Sequence, residues 1–131
     1  MSPANDACSA ETSSVDAKVS VGTSVTVDWT PACPVAAFLI EQADSGEDMW
    51  GLFMPDDSII SPPAANKIRP PITYGQTPLG IGGLEADDPV ILVPGQSYRL
   101  VLWKVLPTGS TATCLTKFDE LCLISNTVFT R

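Results

Sequence analysis

Ser24-Val25-Thr26-Val27-Asp28-Trp29-Thr30-Pro31 sets large apolar residues at 25, 27 and 29 against polar ones at 26 and 28. A period of two places Val25, Val27 and Trp29 on one side of an extended chain, as in a strand with one face in a core. Thr30-Pro31-Ala32-Cys33-Pro34 ends it, because proline brings no N–H to a ladder. Outward from there the chain reads almost entirely as strands. Val35 to Gln42 is apolar on both faces, Asp44-Ser45-Gly46-Glu47-Asp48 is turn chemistry, and Met49 to Met54 returns as a hairpin partner. Pro94-Gly95-Gln96 turns into the longest strand, Ser97 to Leu106, and Pro107-Thr108-Gly109 leads out of it. Val15 to Val19 precedes these strands, Leu123 to Thr130 closes the series, and Val90 to Val93 is a further short candidate. Ala64 to Ile68, the one helical candidate, is too short to stand alone and is boxed in by prolines.

The expected fold is therefore all-β: a single antiparallel β-sandwich of about seven strands over residues 14–131. Residues 1–13 (MSPANDACSAETS) are small, polar and aperiodic, and read as a flexible tether. Residues 55–94 hold eight of the twelve prolines, a composition suited to edge segments and a long connection.

Composition narrows the function classes. The 131 residues make about one domain, and the net charge is −8 with seven scattered Lys and Arg. Nucleic acid and anionic lipid are poor partners for such a surface. No apolar run approaches the roughly 20 residues of a membrane helix, and Met1-Ser2-Pro3 shows no leader pattern. The chain has no histidine, and Cys8, Cys33, Cys114 and Cys122 have no C-x-x-C spacing, so zinc and thioredoxin-type patterns are absent. Two disulfides in an oxidising compartment is the natural reading, with buried free thiols as the alternative.

Two stretches resemble the fibronectin type III (immunoglobulin-like) family. Residues 24–31, quoted above, look like its second strand, with core tryptophan and following proline. Leu92-Val93-Pro94-Gly95-Gln96-Ser97-Tyr98-Arg99-Leu100-Val101-Leu102 looks like its L-x-P-G-x-x-Y phrase and sixth strand. The resemblance implies that Trp29 is core, that Tyr98 is a corner tyrosine bonding back to upstream backbone, and that Phe38, Ile40 and Trp50 lie where core or semi-core residues fall, with Trp50 open to either reading. The proline-rich middle is longer than the family's usual connection, and disulfides are not a family hallmark. Pro70-Pro71-Ile72-Thr73-Tyr74-Gly75 with Thr77-Pro78-Leu79-Gly80 also resembles segments of uncharacterised bacterial envelope lipoproteins. Cys8 is a poor lipid-attachment site, because Asn5-Asp6-Ala7 lacks an apolar residue. On the sandwich topology so implied, all four cysteines fall at one pole. Cys8–Cys33 with Cys114–Cys122 is then the preferred pairing among three formal ones.

The family's alternation turns Tyr98, Leu100 and Leu102 inward, and Val101, Trp103 and Val105 outward, beside Ala37 and Leu39. A tryptophan flanked by valines on an outer sheet face suggests an interface for a protein partner, a second copy or a flat sugar ring. The competing reading is that the proline-rich segment folds over that face. For catalysis there is no G-x-S-x-G elbow, phosphate loop or H-E-x-x-H, and Gly80-Ile81-Gly82-Gly83 reads as a flexible loop. Acidic clusters at Asp44, Glu47 and Asp48, at Asp56 and Asp57, and at Glu85, Asp87 and Asp88 do not fit EF-hand spacing. The expectation is a non-catalytic, secreted or envelope-exposed interaction module without cofactor or metal. The alternative is a carbohydrate-binding module using Trp103, Trp50 or Tyr74 as a platform.

Overall fold

The computed structural model describes residues 8–9, 11–55, 65–107, 109–118 and 121–131. Nine strands follow one another: β1 (Asp16–Val21), β2 (Val25–Thr30), β3 (Ala37–Gln42), β4 (Asp48–Phe53), β5 (Ile72–Thr73), β6 (Glu85–Ala86), β7 (Ser97–Val105), β8 (Lys117–Phe118) and β9 (Leu121–Thr130). They form two antiparallel sheets, β1-β2-β5 and β6-β4-β3-β7-β9-β8. The long strands coincide with the periodic segments of the sequence. The additional pairings are the two-residue strands β5, β6 and β8, and two of them lie in the proline-rich stretch, where missing N–H groups keep a ladder short. Val90 to Val93 forms no strand, although the Val90 N–H donates to the Met49 carbonyl at 3.0 Å.

The inward faces of both sheets share one core. Val25, Val27 and Trp29 of β2 meet Phe38 and Ile40 of β3, Trp50 and Leu52 of β4, and Tyr98, Leu100 and Leu102 of β7. This is a sandwich-like two-layer arrangement. Trp29 is 2% exposed, and its indole N–H, which must find an acceptor once buried, donates to the Cys33 carbonyl at 2.7 Å. An aromatic file crosses the core from it: Trp29 to Phe38 at 6.3 Å, Phe38 to Trp50 at 5.8 Å, Trp50 to Tyr74 at 5.3 Å between ring centroids. Tyr98 is equally buried, and its hydroxyl oxygen accepts the Val93 N–H at 2.8 Å, tying β7 to the turn that precedes it.

In β9 the register slips by one residue opposite Leu102 and Trp103. Leu102 pairs with Ser125 and Trp103 with Leu123, which leaves Ile124 as the extra residue of a bulge; Ile124 joins the core, while Leu123 lies opposite Trp103.

Disulfides join Cys8 to Cys33 and Cys114 to Cys122, with sequence separations of 25 and 8. Among the described residues no cysteine is free. Because a cross-link acts chiefly by restricting the unfolded chain, the longer loop stabilises more. Replacing Cys8 and Cys33 together by Ser and Ala is expected to cost about 3–4 kcal/mol, and the same change at Cys114 and Cys122 about 2–3 kcal/mol. Urea unfolding of the two double variants measures the order; the reverse ranking would refute the loop-entropy account.

Candidate functional site

The outward face of the larger sheet is built from register. Phe53, Ala37, Trp103 and Leu123 lie side by side on β4, β3, β7 and β9, and the next rung holds Gly51, Leu39, Val101 and Asn126. Seven of these eight are apolar, so strand alternation alone lays an apolar belt across four strands. Trp103, Leu39, Ala37 and Phe53 are half-buried, whereas Val101 and Leu123 are each 7% exposed. Gly51 leaves room for the Phe53 ring: a Cβ there would come within 2.7 Å of Phe53 Cε2.

Two features bound the belt. At one end Arg99 and Glu41 pair at 3.4 Å between neighbouring strands; half-exposed, the pair contributes little stability. At the other end the proline-rich connection returns. The Asn66 amide donates to the Val105 carbonyl at 2.7 Å and accepts the Val105 N–H at 2.8 Å. It thereby acts like one residue of an added strand where β3 has ended. Ala65 packs with Ala36 and Val105, Leu121 lies against them, and Val105 is fully buried. The structure thus separates the outward-pointing set: Trp103 and Leu39 keep accessible surface, Val101 is nearly covered, and Val105 lies beneath the connection.

Trp29, Phe38, Ile40 and Tyr98 sit in the core, and so does Trp50, at 1% exposure, which leaves it no free ring face for a ligand. Tyr74 packs on Trp50, and its hydroxyl lies 2.6 Å from the Val90 carbonyl and 3.1 Å from that of Met49. A pocket of about 310 Å³ opens beside it, lined in part by Ser24, Ile91 and Arg131. Among the described residues no three carboxylates or cysteines gather as a metal site would require; Asp56 and Asp57 lie outside them.

The sequence reading passed over Lys104. It occupies the inward phase of β7 between Leu102 and Leu106 and is 2% exposed. A buried ammonium requires acceptors, and its Nζ donates to the carbonyls of Ser9 and Thr12, both at 2.8 Å. Burial lowers its pKa, and the charge of Glu11 opposes that shift. Together with Cys8–Cys33 and the bond from Val15 N–H to the Ile124 carbonyl at 3.1 Å, Lys104 latches residues 8–9 and 11–15 across the pole. The legible signal was a lone lysine in the apolar phase of a strand.

No family model, curated protein or solved structure matches this chain.

Lys104→Met is expected to leave the sheets intact and speed exchange of the Val15 amide by on the order of tenfold, because the latch loses charge-assisted bonds. Unchanged exchange would show that the disulfide alone holds the segment. Burial pushes the Tyr74 hydroxyl up from 10.0 to about 12, with the bond to Val90 opposing. The folded protein therefore retains this proton where the unfolded chain has released it. Its contribution to stability is complete below pH 10.0 and is lost as pH rises through about 12. Phenolate absorbance should show a titration near 12 that Tyr74→Phe abolishes.

Proposed function

We propose that this chain is a non-catalytic interaction module of fibronectin type III-like class, working in an oxidising compartment outside the cytosol or in the cell envelope. The class reading is supported by Trp29 between the sheets and by Tyr98, whose hydroxyl takes the Val93 N–H just ahead of Pro94-Gly95. Two disulfides support the compartment. The site of action is the outer face around Trp103. The observation that carries this is the apolar rung of Phe53, Ala37, Trp103 and Leu123, with its tryptophan left half-exposed. Aromatic anchors with apolar neighbours are what protein interfaces use at their centres. The second reading, a glycan platform, narrows to Trp103 because Trp50 is buried and the Tyr74 hydroxyl is engaged.

The three tryptophans make the face measurable. Trp29 and Trp50 are 2% and 1% exposed, so collisional quenching should reach one component only. That component should vanish in Trp103→Phe. Fluorescence wholly protected from a neutral quencher would mean that the face is covered and would overturn the proposal. Saturable binding of a polysaccharide, lost in Trp103→Ala, would select the glycan reading over a protein partner.

A further inference from the structure

Proteins with open sheets must protect their edges, because an edge strand offers unpaired N–H and C=O groups to any other extended chain. Most edges here carry such protection. β6 and β8 are two residues long, β6 runs into Asp87-Asp88-Pro89, and β8 begins at Lys117. β1 places Asp16 and Lys18 along its length. β9 differs: Leu121 to Thr130 is ten residues without a charge, a proline or a glycine.

The bulge determines which of its groups are free. The Leu123 N–H donates to the Thr116 carbonyl, the Leu123 carbonyl accepts the Leu115 N–H, and the Ile124 carbonyl accepts the Val15 N–H. The upper part of the edge is therefore occupied. Arg131 N–H bonds to the Gln96 carbonyl at 3.0 Å, on the β7 side. By alternation Thr127 and Phe129 also turn their backbone groups to β7, while Asn126, Val128 and Thr130 turn theirs outward. Among the described residues nothing pairs with those three. All three side chains are exposed, Val128 at 57%.

We propose that this edge is a self-association site, on which the same strand of a second copy adds antiparallel about a two-fold axis at Val128. The pattern of free backbone groups selects the register. Centred on Val128, Asn126 faces the partner copy's Thr130 and all outward N–H and C=O groups of both strands are paired. A register moved toward Ile124 meets the groups already taken by Val15 and Thr116. Each copy carries −8, a net repulsion between copies, and the uncharged β9 is the edge that matches itself, with no like charges on facing rungs and the polar Asn126 and Thr130 opposite each other. Val128 then meets its own symmetry mate, a β-branched pair of the kind cross-strand neighbours favour. The two six-stranded sheets become one continuous sheet, with both Trp103 faces on its outer side. The site is independent of the Trp103 reading and uses none of its residues.

The test is solution mass by light scattering of the intact chain from about 10 µM to about 1 mM, a range suited to a weak dimer. Mass is expected to rise toward twice the monomer. Val128→Lys should move the midpoint upward by about tenfold or more, with a melting temperature unchanged at concentrations where both are monomeric, because Val128 is exposed there. Amides of Asn126, Val128 and Thr130 should gain exchange protection with concentration. A monomer throughout would overturn the proposal, as would a dimer indifferent to Val128→Lys. A dimer broken by Trp103→Lys instead would overturn it and transfer self-association to the outer face. Should Val128→Lys fail to fold, the wild-type amide pattern decides alone.

Discussion

The burial of Trp29 sets terms that much of the molecule meets. Its ring, the largest on the smaller sheet, fills the gap to Phe38 across the core, and an indole N–H taken out of water has to find an acceptor. The Cys33 carbonyl supplies it four residues on, which requires the chain to turn back at once after β2. That turn is built from Pro31 and Pro34, and it delivers the Cys33 sulfur, fully buried, to the pole where Cys8 can reach it. One buried donor thus links the core, the end of a strand and the placement of a disulfide.

The same pole carries the molecule's other polar commitment. Lys104 breaks the apolar phase of β7, and the carbonyls of Ser9 and Thr12 come to its buried ammonium. The disulfide brings the segment near, and the ammonium sets how it lies. Neither is sufficient as a geometric constraint: a single cross-link leaves rotation about its own bonds, and a lysine without carbonyls would leave the core. Residues 8–9 and 11–13, polar and aperiodic as a string, are held by what they cover.

The outer face shows a similar division of labour. Alternation in β3 and β7 was enough to say which residues turn outward, and the structure has Trp103, Val101 and Val105 on that side. How much of each remains accessible depended on a segment with no periodicity. Asn66 pairs with the Val105 backbone and Ala65 covers its side chain, so the face ends two residues beyond Trp103. A side-chain amide replacing a missing strand leaves no trace in hydropathy. Nor does the β9 bulge, which adds Ile124 to the core as an unpaired residue between Leu123 and Ser125.

From the sequence alone came the all-β class, the long strands, the inward placement of Trp29, Phe38, Ile40 and Tyr98, and a disulfide preference that rested on assumed topology. The class, the strands and Trp29 were legible because period-two burial and proline punctuation are local properties of a chain, whereas Phe38, Ile40, Tyr98 and the pairing came only through the fibronectin type III resemblance. Tertiary structure decided the rest: which outward residues stay accessible, that Lys104 is a buried latch, and that among the described residues none pairs with the edge of β9 from Asn126 onward. Each of those depends on which distant segment arrives beside a strand. Arrival is set by how the whole core closes, a non-local outcome that no window of sequence contains.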